Sequence, residues 1–223
     1  MRLTGNQVRA ALRPRAPWAV GLSYAAVLLV VDVFVSARPD GGESVRLWWS
    51  TNLDNLSSEA GAGRAVAVLV GSAFVPEESA GWWALFAVAG LVVAARRLGA
   101  LRALLLVAAV HVAATVVSEL VLASQLPHDE STAAERSIVD VGPSYVVVAA
   151  LTVAVAYGHR WERAPAAVAF LALTPYLFVG LTDREVAPVG HVVSILLAAA
   201  LGGALARRAR TPGPAPAPSG VRR

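Results

Sequence analysis

The chain has no cysteine and no lysine. Without thiols it can form neither a disulfide nor a thiolate metal site, and composition leaves the redox compartment unread. Without lysine, all 19 of its basic residues are arginine, as in Ala/Arg-rich genomes. Charge is scarce as well, at 15% of residues, where an ordinary soluble domain carries about a quarter. Apolar side chains fill the gap: they make up 57% of the 223 residues, and the mean hydropathy is +0.60. Little room remains for a soluble domain. The sequence pI near 10.3 does not indicate a nucleic-acid partner, because the arginines gather at the ends of apolar runs, where membrane topology accounts for them. No Walker sequence, dinucleotide glycine pattern or metalloprotease helix occurs, so no nucleotide, cofactor or metal is expected.

What is present is a series of apolar runs that approach the ~20 residues needed to cross a bilayer. The first spans Pro17 to Ala37, with Pro17 suited to a first helical turn and Trp18 and Tyr24 to the headgroup level. The second is Trp82 to Ala95 with its flanks, the third Ala103 to Ala123 and the fourth Val141 to Tyr157. The fifth is Ala164 to Leu181 and the sixth Val186 to Ala206. A shorter apolar piece, Ala65 to Val75, fits an interfacial or re-entrant segment in the long first connection. Residues 1–16 form a basic segment with Arg2, Arg9, Arg13 and Arg15, expected to lie at the interface and to be retained rather than cleaved as a signal. Residues 17–208 form the membrane domain, and the Pro-rich stretch 209–223 reads as a disordered tail.

Charge sets the orientation. Arginines occupy the N-terminus, the second-to-third connection (Arg96, Arg97, Arg102), the fourth-to-fifth (Arg160, Arg163) and the start of the tail. The alternate connections are acidic or mixed, with Glu77, Glu78, Asp140, Asp183 and Glu185 among their residues. Six spans with both termini cytoplasmic satisfy the positive-inside bias at every connection. The expected fold class is therefore all-α, a polytopic six-helix membrane bundle.

Ionisable or nucleophilic groups inside such runs are site candidates by default. Ser144 lies in Gly142-Pro143-Ser144-Tyr145 at the mouth of the fourth span, roughly 3–6 Å inside at ~1.5 Å per residue. His191 lies roughly 6–9 Å inside the sixth by the same rise. Both spans enter from the outer side, so the two residues share a depth. A serine hydroxyl becomes a nucleophile when a base within hydrogen-bond reach takes its proton, and histidine is the best match near neutral pH. Alternatively, each simply bonds a neighbouring helix. His111, Thr115, Ser118 and Glu119 stand at i, i+4, i+7 and i+8 on the third span and share one face. They suit an interior polar seam, a proton relay or support for the Ser144–His191 region. A metal site is disfavoured, since His111 and Glu119 are ~12 Å apart along the axis and no third ligand follows at a recognisable spacing. Asp140 is placed to cap the fourth helix, and Asn52 and Asn55 to serve turns or caps. Asp183 and Glu185 complement the start of the sixth helix, and His128 and His159 fall in loops.

The order of these features resembles the rhomboid fold of six-helix intramembrane serine proteases, most closely divergent rhomboid-like proteins of high-GC bacteria. Gly142-Pro-Ser144 resembles the first part of the family's nucleophile motif. Gly190-His191, followed by Gly202-Gly203-Ala204, resembles the sixth-helix pattern. Val70-Gly-Ser-Ala-Phe74 resembles the close of the large first loop, and Ala95-Arg-Arg-Leu-Gly99 the close of the second helix, with Ala in place of Glu. The resemblance covers roughly residues 15 to 208 and implies Ser144 as nucleophile, His191 as base and no cofactor. It further implies the bilayer and transmembrane helices as partners, and a multi-pass protein of the bacterial plasma membrane. Substrate and oligomeric state are not implied.

The departures are specific. Tyr145 replaces the motif's second glycine, which lets the fourth and sixth helices approach. The second span lacks the family's His and Asn oxyanion donors, and the first loop has only Trp48-Trp49 as an echo of its Trp-Arg pair. Three functions follow as expectations: an intramembrane serine protease, a non-catalytic relative that binds transmembrane helices, and a proton or small-solute pathway through the His111–Glu119 seam.

Overall fold

A computed structural model describes residues 16–78, 80–126 and 133–208. The expected interfacial segment before residue 16, His128 and the Pro-rich tail after residue 208 lie outside the described residues. The described chain is helical and contains no strand. Helix α1 runs Ala16–Ser36, and three short helices follow: α2 (Glu43–Trp49), α3 (Leu53–Leu56) and α4 (Ala62–Gly71). A 3₁₀ turn at Ser72–Phe74 leads towards α5 (Ala80–Leu98), α6 (Ala100–Gln125) and a single turn, α7 (Ala133–Arg136). The last three helices are α8 (Ser144–Tyr157), α9 (Arg160–Leu177) and α10 (Val186–Arg208).

Four helices, α1, α5, α6 and α10, are long and apolar enough to cross a membrane. Helix α8, at 14 residues, and α9, with Arg160, Glu162 and Arg163 in its first turn, fall below that standard. The bundle's outer surface is apolar: Val30, Val33, Leu105, Leu120, Leu171 and Leu196 are each more than half exposed. A water-soluble bundle hides such side chains, whereas a bilayer solvates them.

Helix α8 is the hub. Every residue from Tyr145 to Ala154 is buried, the mark of a helix enclosed on all sides, and α5, α6, α9 and α10 pack around it. Small residues set the close crossings. A Cβ on Gly90 of α5 would stand 2.9 Å from the backbone nitrogen of Leu151, and one on Gly190 of α10 would stand 2.3 Å from Cζ of Tyr145. Backbones can meet this closely only where a side chain is missing.

The first connection folds onto the mouth of α8. The backbone N–H of Thr51 donates to the Asp140 carbonyl at 2.9 Å, and that of Gly142 donates to the Ser72 carbonyl at 2.8 Å. Ser50 Oγ accepts from the Asp140 N–H at 2.8 Å. Asn52 caps α3 by accepting from the Asn55 N–H at 2.9 Å, as expected of a turn asparagine. The Arg64 guanidinium stacks 3.8 Å over the Trp48 ring, so a Trp–Arg pair does form in this loop, by tertiary contact.

Two expectations are corrected here. Asp140 does not cap α8: Pro143 occupies the cap position with no side-chain bond, and the Asp140 carboxylate instead accepts from Thr51 Oγ1 at 3.0 Å. The fourth helix begins at Ser144 rather than Val141, because Gly142 has φ +131°, outside helical geometry and open chiefly to glycine. The fifth ends at Leu177 rather than Leu181, giving way to turns.

Candidate functional site at the mouths of α8 and α10

Ser144 is the first residue of α8 and is partly buried. The opening N–H groups of a helix lack intrahelical acceptors, and the first bond into this helix runs from Val147 N–H to the Pro143 carbonyl, 2.9 Å. Donors thus surround Ser144 at the positive end of the helix dipole.

His191 lies in the second turn of α10 and is 6% exposed. Its Nδ1–H donates to the Leu177 carbonyl at 2.9 Å, since a carbonyl can only accept. This bond places a proton on Nδ1; in the neutral ring Nε2, on the opposite edge, is then an acceptor without a partner. Ser144 and His191 both line one cavity of about 860 Å³, which also reaches Trp83, Phe86, Asp140 and Leu177. No hydrogen bond joins Ser144 to His191 among the described residues.

Tyr145 packs beside this pair. Its ring meets His191 edge-on at a centroid distance of 5.4 Å and lies against Gly190. Its hydroxyl donates weakly to Asp140 Oδ1 and to the Val186 carbonyl, both at 3.4 Å. The tyrosine therefore occupies the crossing of α8 and α10, which a glycine would leave open.

The same ring also meets His111, at a centroid distance of 5.9 Å. Its Nε2–H donates to the Leu69 carbonyl at 3.0 Å, with Ser72 Oγ at 3.2 Å. His111 borders a crevice too narrow for water, which Thr51, Ser72, Asp140 and Ser144 share. His111, Thr115, Ser118 and Glu119 are all buried, in keeping with one inward face. They do not form a hydrogen-bonded chain: Ser118 Oγ donates to its own helix at the Thr115 carbonyl, 3.0 Å, and both Glu119 carboxyl oxygens lack partners.

Outside the helices, burial pushes the Asp140 carboxyl up to about 6, with Glu77 adding to the effect and the Thr51 and Tyr145 hydroxyls opposing it. Glu77 is raised by burial and then by Glu78. His159, expected in a loop, immediately precedes α9, and its N–H donates to the Glu162 carboxylate at 3.0 Å.

Sequence reasoning missed two residues. Ser194, one turn beyond His191, is fully buried with an unpartnered Oγ; its place at i+3 from His191 was the available signal. Thr51 ties the first loop to Asp140, and no local pattern marks a contact 89 residues apart.

A family model described as rhomboid-like protein matches residues 15–211. No curated protein and no solved structure matches the chain.

Proposed function

The chain belongs to the rhomboid-like protein family, and from that footing we propose that it is an intramembrane serine protease of low turnover, with Ser144 as nucleophile and His191 as general base. It is a multi-pass membrane protein; in the proposed topology α8 and α9 complete six spans and both termini are cytoplasmic. The observation that carries the reading is the shared cavity: Ser144 and a histidine with a free Nε2 line the same space.

The chemistry balances on these groups. His191 Nε2 takes the Ser144 hydroxyl proton as Oγ attacks a peptide carbonyl carbon, and the carbonyl π electrons move onto oxygen. The opening N–H groups of α8 face that oxyanion. Collapse breaks the C–N bond, and the leaving amine takes its proton from His191. Water, deprotonated by the same imidazole, then attacks the acyl carbon, and collapse breaks the C–O bond to Ser144 as His191 returns the proton to Oγ. The bond to Leu177 holds the ring in the tautomer the first step needs.

Low turnover follows from what surrounds the pair. Helix α5, AGWWALFAVAGLVVAARRL, has no His or Asn to act as an oxyanion donor, and its only side-chain N–H groups before Arg96 are the indoles of Trp82 and Trp83. Losing one such donor typically costs about 10²–10³ in rate. The Ser144–His191 hydrogen bond is also not formed in the resting geometry; such bonds often tighten only with substrate.

A second reading, a non-catalytic protein that binds transmembrane helices in the same cavity, is favoured by the Tyr145 ring at the α8–α10 crossing. Fluorophosphonate labelling separates the two. The protease reading expects slow labelling of wild type that Ser144→Ala abolishes; equal labelling of both proteins contradicts it.

A further inference from the structure

The cavity's chemistry changes sharply from wall to rim. Its wall is aromatic and aliphatic, with Trp82, Trp83, Phe86, Leu122, Leu173 and Tyr176 lining it. Its rim is acidic. Glu77 and Glu78 precede α5, Asp140 precedes α8, and Asp183 and Glu185 precede α10, so that three helix starts bring carboxyl groups to one opening. Arg184 is the single basic residue lining it. The ion pairs among the described residues lie elsewhere, at Arg96–Glu162 and Arg136–Asp54, and Arg46 near Glu77 donates to the Pro76 and Gly41 carbonyls. Three of the five carboxylates, Glu78, Asp183 and Glu185, are exposed and available to an incoming charge, while Glu77 is partly desolvated beside Arg46.

A second feature points to an occupant. His191 is 94% buried, yet its Nε2 has no partner and the residue lines this cavity. Buried polar atoms in native proteins are overwhelmingly hydrogen-bonded, so an orphan on a residue that lines a large cavity points to a partner that arrives with the ligand.

Resting on the cavity being the client site, we propose that it receives a transmembrane helix whose flank at the rim carries arginine or lysine. The apolar wall takes the last turns of the client's membrane segment, and the acidic rim pairs with its basic flank. Most membrane proteins carry few basic residues on outer flanks. In the proposed topology the rim faces outwards, so the site selects the minority that do, including helices inserted in the wrong orientation. Basic residues at the rim also hold the client in register, which fixes the peptide bond presented to Ser144.

The test uses a fluorescent Leu/Ala helix of about 20 residues, with two lysines, two serines or two glutamates at its rim-side flank, titrated against the full chain in nanodiscs. The expected order is Lys over Ser over Glu, with at least a tenfold span between Lys and Glu at low salt that contracts at high salt. The double substitution Glu78→Gln/Glu185→Gln, at two exposed rim positions, should reduce the Lys preference several-fold without changing binding of the serine-flanked helix. Equal binding of all three helices overturns the proposal, as does displacement of the Lys helix by a single-chain quaternary-ammonium amphiphile at comparable concentration, which would assign the site to small cationic amphiphiles. Ser144→Ala should leave the order intact. Flank preference without fluorophosphonate labelling would remove the protease reading and keep the basic-flank client. Labelling without flank preference would do the reverse.

Discussion

His191 and His111 both contact one tyrosine ring, at centroid distances of 5.4 and 5.9 Å, and are buried almost equally, at 6% and 4% exposure. Each donates one ring N–H to a backbone carbonyl and leaves the other nitrogen unpartnered. What separates them is access. His191 lines a cavity of about 860 Å³, whereas His111 borders a crevice too narrow for water under the first loop; Ser144 reaches both. Burial and bonding alone do not distinguish a base from a strut. The cavity beside the residue does, because a general base needs a substrate proton within about 2.6–3.2 Å.

If access divides the two histidines, their substitutions should diverge by orders of magnitude. His191→Ala should slow fluorophosphonate labelling by about 10²–10⁴-fold, the usual worth of a general base, whereas His111→Ala should change it only a few-fold. Similar losses in both would erase the distinction. Next in size, Gly190→Val should destabilise by about 3 kcal/mol, since even its Cβ falls 2.3 Å from a Tyr145 ring that is in contact with two histidines. Thermal unfolding in detergent measures this, and an unchanged Tm would show that the tyrosine is free to move.

A smaller effect concerns pH. The folded state holds the Asp140 carboxyl at about 6, above its ordinary 3.8, so the folded protein binds more protons between those values. The stabilisation is complete below about pH 4 and is lost as pH rises through 6. Asp140→Asn should therefore flatten the fall in Tm across this window, by an amount on the order of 1–2 kcal/mol after allowance for partial exposure. A slope identical to wild type would place the titration elsewhere. Smallest of all, Tyr145→Phe should cost less than about 1 kcal/mol and keep labelling, because both hydroxyl contacts are long, at 3.4 Å. A large loss would give the hydroxyl a chemical role.

Much of the fold is legible in the sequence because membrane helices announce themselves by length and hydropathy. The runs expected at Pro17–Ala37, Trp82–Ala95, Ala103–Ala123 and Val186–Ala206 coincide with α1, α5, α6 and α10 to within a few residues. The seam on α6 is legible too, because the i, i+4, i+7, i+8 spacing alone defines a face. The surroundings of the candidate site are not. That Asp140 turns to Thr51 instead of capping α8 depends on a loop arriving from 89 residues away. That Tyr145 fills the α8–α10 crossing follows from Gly190, whose missing side chain matters only once the helices meet. The acidic rim is visible as single residues before three spans, but their convergence on one opening needs the fold.

The most direct test is an experimental structure of the chain treated with an alkyl fluorophosphonate. The protease reading predicts phosphorus bonded to Ser144 Oγ, with His191 Nε2 within about 3 Å of the adduct's oxygens and Nδ1 still donating to the Leu177 carbonyl. An unmodified Ser144, or a modified one with His191 turned away from the cavity, would contradict it.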